Sequence, residues 1–113
     1  MAVQAVNPEA ERSEPRRPLS LPLSARLFRG DEEIEFRGLD VSKQGFGVFS
    51  MVQLDQLGET FRLSIADLDV KLELAWTKQR AGDGLGYRHG FRVVDTTVDL
   101  EEVCRRLGNV PGV

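Results

Sequence analysis

The stretch LPLSARLFRGDEEIEFRGLDV, residues 21–41, contains two alternating runs of apolar and polar residues separated by RGDE. In the first run four apolar side chains share one face of an extended chain: Leu21, Leu23, Ala25 and Leu27. Alternation with a period of two is the pattern of a half-buried strand. Gly30, within RGDE, adopts a positive φ at low cost and so favours a tight turn. The stretch therefore predicts a β-hairpin.

Four further strands and one helix are predicted after this hairpin. The strand segments are FGVFS (46–50), TFRLSI (60–65), DVKLELAWT (69–77) and GYRHGFRVV (86–94). TTVDLEEVCRRLG (96–108) predicts a short helix, with Asp99 as its N-cap and Gly108 as its stop. Short strands joined by tight turns are typical of an antiparallel barrel, whose closure removes exposed strand edges. The predicted fold class is all-β, a six-stranded antiparallel β-barrel with one short C-terminal helix.

The sequence also predicts the environments of the only tryptophan and the only histidine. Trp76 alternates with Val70, Leu72 and Leu74, which favours packing in the core over the alternative, contact with a ligand. His89, the only histidine, has no partner at metal-ligand spacing and is expected to be a half-exposed strand residue.

The chain of 113 residues has the length of one domain. We expect a flexible tail at 1–10, a domain at 11–108 whose first part, 11–20, is an arginine-containing arm, and a C-terminal tail at 109–113. The N-terminus lacks the basic-then-apolar pattern of a secretory signal, and no apolar run is long enough to cross a bilayer. A single cysteine fits a reducing compartment. A cytoplasmic location is the expectation.

Charge is spread unevenly along the chain. Residues 1–29 hold five arginines and three glutamates, a balance of +2, so the remaining residues contribute −5 to the net charge of −3. A general nucleic-acid binder needs a broad basic surface, because its affinity comes from contacts with many phosphates. The sequence therefore disfavours DNA or RNA as a partner but allows a small anion at one basic spot.

The hairpin register brings two distant motifs together. With the turn centred between Gly30 and Asp31, Leu21 is expected opposite Asp40, so RSEPRRP (12–18) lies beside DVSKQG (40–45). Arginine forks pair with phosphate or with the O6 and N7 acceptors of guanine. A carboxylate can accept from the N1–H and 2-amino groups of guanine, and a serine hydroxyl suits a phosphate or ribose oxygen. The combination predicts a site for a guanine nucleotide, built from Arg12, Arg16, Asp40, Ser42 and Gly45.

Arg12 and Arg16 form an RxxxR motif, and Asp40, Ser42 and Gly45 form a DxSxxG motif. In this order and spacing they resemble the PilZ domain, the bacterial receptor domain for cyclic di-GMP. LELAWTKQ (72–79) is similar to the family's late tryptophan-containing strand, and YRHGFRVVD (87–95) resembles its tyrosine-containing strand with a central glycine. The resemblance covers about residues 11–95.

The resemblance implies roles for individual residues. Arg12 and Arg16 would bind guanine and phosphate, Asp40 and Ser42 would contact guanine and nearby polar atoms, and Gly45 would shape the loop. Many family members have a second arginine beside the first, whereas Ser13 follows Arg12 here. Arg17 is an extra positive charge that can compensate, so it joins the predicted ligand-binding set. The arm is expected to be mobile alone and ordered over the ligand.

The predicted function is a non-catalytic, cytoplasmic cyclic di-GMP receptor that relays the signal to an unidentified protein effector. No nucleophile with an adjacent base is visible, so neither an enzyme nor a cofactor or metal is expected. No membrane insertion is expected, and a homodimer is compatible with the sequence. The main alternative is a PilZ-like adaptor that acts only through protein contacts. A small barrel that binds single-stranded RNA or oligosaccharide is a third, disfavoured by the acidic balance and few aromatics.

Overall fold

The computed structural model describes residues 15–20, 22–79 and 85–111, which form one curled antiparallel sheet and one helix. The strands are β1 (Arg17–Pro18), β2 (Ala25–Arg29), β3 (Glu32–Ile34), β4 (Arg37–Val41), β5 (Gly45–Ser50), β6 (Thr60–Ile65), β7 (Leu68–Gln79) and β8 (Tyr87–Val93), and the helix is α1 (Leu100–Arg106). Their order in the sheet is β1-β4-β5-β8-β7-β6-β2-β3. No helix within these ranges has the length and apolar character needed to cross a bilayer.

The predicted fold class is confirmed, with eight strands in place of six. Two of the eight, β3 and β4, are parts of the single strand predicted for residues 33–41, which is interrupted at Glu35 and Phe36. The other additional strand, β1, is a two-residue bridge formed by the arm. β3 is the last strand in the sheet order and β4 is the second, yet only two residues connect them along the chain. The two ends of the sheet must therefore approach each other, and the sheet curls into a half-barrel.

The first hairpin forms in the predicted register, but the register does not extend to Asp40. Arg29 lies opposite Glu32, and Gly30 in the turn has a φ of +60°. The predicted pairing of Leu21 with Asp40 is wrong because Pro18 occupies the place opposite Asp40; Leu21 itself lies outside the described residues. The interruption after β3, at Glu35 and Phe36, shifts the chain relative to a straight hairpin.

The interior of the half-barrel is filled by aliphatic and phenylalanine side chains, and α1 covers it with Leu100 and Cys104. The predicted cap is confirmed, since Asp99 Oδ1 accepts a hydrogen bond from the Glu102 N–H at 3.1 Å. Burial, with the nearby charge of Glu101, raises the pKa of the Cys104 thiol to about 11, so it packs as a neutral group. The packed domain continues beyond residue 108, because Asn109 and Val110 of the expected C-terminal tail are buried.

His89 is fully buried, so the expectation that it is half-exposed is wrong. Its Nε2 lies 2.9 Å from the carbonyl oxygen of Val52, and its Nδ1 lies 2.8 Å from Thr77 Oγ1. A carbonyl only accepts hydrogen bonds, so Nε2 carries the proton and the hydroxyl donates to Nδ1. Burial lowers the pKa of this imidazole below its ordinary value. The neutral imidazole of His89, on β8, therefore connects Thr77 on β7 with Val52 in the segment after β5.

Protonation of His89 should destabilise the fold. Because its folded-state pKa is lowered, the unfolded chain takes up the proton first, and stability falls as the pH drops below about 6.5. Two measurements check this: NMR titration of the single imidazole, and the melting temperature of the wild type against His89→Gln. We expect a lowered imidazole pKa and a weaker pH dependence in the variant. An imidazole that titrates at or above the ordinary value would contradict the assignment.

Candidate functional site

The arm and the DVSKQG corner meet at Arg16, as the sequence predicts. Pairing of β1 with β4 places Pro18 opposite Asp40 and brings Arg16 over the corner. Arg16 Nη2 donates to Asp40 Oδ1 at 2.6 Å, and Nη1 donates to Ser42 Oγ at 3.2 Å. The two ion-paired side chains are 16% and 25% exposed, so the pair lies at a solvent-accessible edge. A charge-assisted bond of this kind fixes both groups in orientation.

The corner itself is a tight turn in which Gly45 allows close approach. Ser42 N–H donates to the Gly45 carbonyl at 2.9 Å, and the Ser42 side chain is almost fully buried. A Cβ on Gly45 would collide with the Arg16 guanidinium and would lie 2.9 Å from Ser42 Oγ. Any larger residue at Gly45 would therefore displace the arginine from the corner.

A row of directly opposed residues crosses five strands on the outer face of the sheet. Pro18, Asp40, Gly47, Gly90 and Trp76 follow one another on β1, β4, β5, β8 and β7. Directly opposed residues project from the same face of an antiparallel sheet. A Cβ on Gly47 would collide with the Asp40 carboxylate, and one on Gly90 would collide with the Trp76 indole. The two glycines are both buried and form a flat floor that the carboxylate and the aromatic ring cover.

Trp76 does not point into the core, contrary to the prediction from its alternation with Leu74. A bulge between Leu74 and Trp76 leaves Leu74 opposite Phe91 but Trp76 opposite Gly90. One extra residue moves the following side chains to the other face. Leu74 is therefore buried, whereas Trp76 is half-buried on the outer face. The sequence signal that could have located this position was the glycine at 90, where the indole needs an opposing residue without a side chain.

Basic side chains surround the glycine floor. Arg88 and Arg92 lie on either side of Gly90 in β8 and share its face. The Arg88 guanidinium lies 5.9 Å from the centroid of the Trp76 ring, and Arg92 pairs with Glu73 at 2.5 Å. Arg16 pairs with Asp40 and Arg92 pairs with Glu73 on this same face, so with Arg88 these five charged side chains together carry a net charge of +1 in a chain of net charge −3. Such a face can attract a small anion without attracting long polyanions.

The remaining predicted residues are placed differently. Arg12 lies outside the described residues. Arg17 is described, but the structure does not bring it to Asp40 and Ser42; its Nε lies 3.6 Å from Glu101 Oε2 on α1. Of the predicted ligand-binding residues, Arg16, Asp40, Ser42 and Gly45 are therefore gathered in one place.

The arrangement suits a flat aromatic anion. Asp40 and Trp76 are three strand spacings apart, about 14 Å between their backbones, and their side chains extend towards each other over the two buried glycines. Arg16 supplies donors, Asp40 supplies an acceptor and Trp76 supplies an aromatic face. Within the described ranges, no three acidic, histidine or cysteine side chains are grouped to hold a metal ion.

Comparison with known families gives the same identification as the motifs. The model of the PilZ domain matches residues 10–107. The chain belongs to the PilZ domain family. The PilZ match includes both motifs, the Trp76 strand and α1. The comparison with curated proteins finds no matching sequence.

Two solved structures resemble this PilZ domain in fold. The inhibitor of motility MotI/DgrA from Bacillus subtilis superimposes with a TM-score of 0.56 at 18% identity, over 85% of this chain and 51% of that one. The PilZ domain with c-di-GMP of YcgR from Escherichia coli superimposes with a TM-score of 0.54 at 16% identity, over 86% of both chains. The chain thus spans about half the length of the Bacillus protein and most of the YcgR domain.

Gly47→Ala should separate Asp40 from the glycine floor. The added methyl group collides with the Asp40 carboxylate, and overpacking of this kind costs about 1 kcal/mol of unfolding free energy or more. In an Asp40→Ala background the colliding group is absent, so the same substitution should cost clearly less. Urea denaturation of the four proteins in this double-mutant cycle measures the difference. Equal costs in both backgrounds would show that the carboxylate does not lie over Gly47.

Proposed function

We propose that this PilZ domain is a cytoplasmic cyclic di-GMP receptor without catalytic activity. The observation that carries the proposal is Arg16, held on Asp40 and Ser42 at the edge of the glycine floor. Membership of the PilZ family supports it, as does the fold shared with the YcgR domain whose structure contains c-di-GMP. The proposed ligand is a planar purine dinucleotide with two phosphates, which matches the donor, acceptor and aromatic groups on this face.

In the proposed complex each group acts on one part of the ligand. Arg16 donates to the O6 and N7 edge of guanine or to a phosphate, and Asp40 accepts from the N1–H and 2-amino edge. Ser42 bonds a phosphate or ribose oxygen. The Arg16–Asp40 contact orients both side chains beforehand, which lowers the entropy lost on binding.

The far side of the floor contributes shape and charge. Trp76, which covers Gly90 and is itself only half-buried, offers its outer ring face to a purine. Arg88 and Arg92 lie on the same face and partly neutralise the phosphates.

The arm closes the site in this proposal. The part of the arm that follows Arg16 is already hydrogen-bonded to β4, since the Leu19 N–H donates to the Leu39 carbonyl at 3.0 Å. Arg12 is the first arginine of the RxxxR motif, and in this proposal it binds guanine or phosphate as the family motif implies. Pro15 and Pro18 restrict the chain on either side of Arg16, so the arm loses less entropy when it closes.

The signal leaves the molecule through a protein partner. A receptor without a reaction transmits its state only through surfaces that differ between its free and bound forms. The partner is recognised by such a surface, and the competing function is an adaptor that contacts the same kind of partner without any nucleotide.

Titration calorimetry with cyclic di-GMP tests the proposal. We expect saturable binding by the wild type and a loss of affinity of about tenfold or more in Arg16→Ala and Asp40→Ala, because each removes hydrogen bonds to a charged group. Arg26→Ala is the matched control: it removes an exposed arginine that pairs with Glu33 on the β2–β3 hairpin, and should bind like the wild type.

GTP and cyclic di-AMP in the same titration measure specificity for guanine and for the dinucleotide. Melting temperatures of all variants should stay within a few degrees of the wild type, since the Arg16–Asp40 pair is partly exposed. A wild type that does not bind cyclic di-GMP would contradict the receptor role, and one that binds none of the three nucleotides would favour the adaptor. Unfolding of Arg16→Ala and Asp40→Ala would show that these residues form scaffold rather than site.

A further inference from the structure

Arg16 and Arg17 project from opposite faces of the arm. Successive side chains of an extended strand alternate. Pro18 lies opposite the outward-facing Asp40, whereas Arg17 lies opposite Val41, which is fully buried. Arg17 is therefore directed away from the glycine floor and towards α1, although its neighbour belongs to the candidate site.

On that side Arg17 meets a carboxylate that is already oriented. Glu101, in the first turn of α1, accepts from Arg105 Nη2 at 2.6 Å and has a side chain only 16% exposed. Arg17 Nε lies 3.6 Å from the same carboxylate oxygen, and the Arg17 side chain is 53% exposed. Arg17 thus places a second positive charge beside Glu101. Because Arg105 already holds the Glu101 side chain, pairing with Arg17 costs little further side-chain entropy at the glutamate.

The other half of the candidate site is attached to the same helix. Lys43 and Gln44 lie between Ser42 and Gly45 in the corner. The Lys43 carbonyl accepts from the Leu100 N–H at 3.0 Å, and Gln44 Nε2 donates to the Val98 carbonyl at 2.7 Å. The beginning of α1 is therefore bonded directly to the loop that carries the DxSxxG motif.

The arm is bonded to the end of the helical segment as well. Ser20 N–H and Ser20 Oγ both donate to the Asn109 carbonyl, at 2.8 and 3.3 Å. Residues 98–109 consequently bond the corner at one end and the arm at the other, with the Arg17–Glu101 pair between these attachments.

We propose that Arg17 is a positioning residue that couples the arm to α1 through Glu101, so that occupation of the nucleotide site stabilises α1. The proposal rests on the proposed cyclic di-GMP function. Ligand that holds the arm on the corner also holds Arg17 on Glu101, and by thermodynamic reciprocity a helix that holds Arg17 favours ligand binding. Segment 98–109 is then the part of the surface that changes with the ligand.

Two kinds of measurement on the full chain test this coupling: the dissociation constant for cyclic di-GMP, and hydrogen exchange of amides in 100–107 with and without ligand. The variants are Arg17→Gln, Glu101→Gln and the double substitution. A half-exposed pair changes affinity by about two- to fivefold, so we expect each single variant to bind that much more weakly. The double variant should bind no more weakly than the weaker single variant, because both changes remove one interaction.

Hydrogen exchange separates coupling from a merely structural role. Ligand should protect the α1 amides in the wild type, and this protection should shrink in both single variants while their melting temperatures stay close to the wild type. Arg26→Gln, which removes an exposed pair with Glu33, should change neither the affinity nor the protection.

The outcomes that overturn the two proposals differ. A wild type that does not bind cyclic di-GMP overturns the receptor function and this coupling with it. Normal binding with unchanged affinity and unchanged α1 protection in Arg17→Gln and Glu101→Gln overturns the coupling alone. A loss of tenfold or more in Arg17→Gln, with Glu101→Gln unaffected, shows that Arg17 contacts the ligand directly and overturns its positioning role.

Discussion

The absence of side chains at Gly47 and Gly90 is the constraint on which the candidate site depends. The Asp40 carboxylate lies over the first glycine and the Trp76 indole over the second, so a methyl group at either place would collide with them. Because the two glycines are directly opposed on β5 and β8, they make one continuous surface. Arg16 reaches Asp40 across the edge of that surface, which joins the arm to the barrel.

Charge is distributed unevenly over this acidic protein. Arg16, Arg88 and Arg92 lie around the glycine floor, two of them paired with Asp40 and Glu73, while most of the other carboxylates lie elsewhere in the chain. A long polyanion would meet that acidic remainder, whereas a small anion at the floor would not. Within the arm, strand alternation directs two neighbouring arginines to different places. Arg16 contacts Asp40 at the edge of the glycine floor, and Arg17 faces Glu101 on α1.

Local patterns in the sequence predicted the features that depend on neighbouring residues. The turn at Gly30 and the helix cap at Asp99 are of this kind. Features set by distant strands were predicted wrongly: the bulge that turns Trp76 outwards is defined by its pairing with β8, and the burial of His89 depends on the Val52 carbonyl, 37 residues away. The motifs located Arg16 beside the corner, but the pairing of Pro18 with Asp40 required the bend after β3.

An NMR titration of the isotope-labelled protein with cyclic di-GMP tests most directly that the arm, corner and glycine floor form one site. We expect saturable shifts in the amides around Asp40, Gly47 and Gly90 and in the indole N–H of Trp76, with the β2–β3 hairpin nearly unchanged. Saturable shifts confined to that hairpin or to β6, with the glycine floor unaffected, would contradict it.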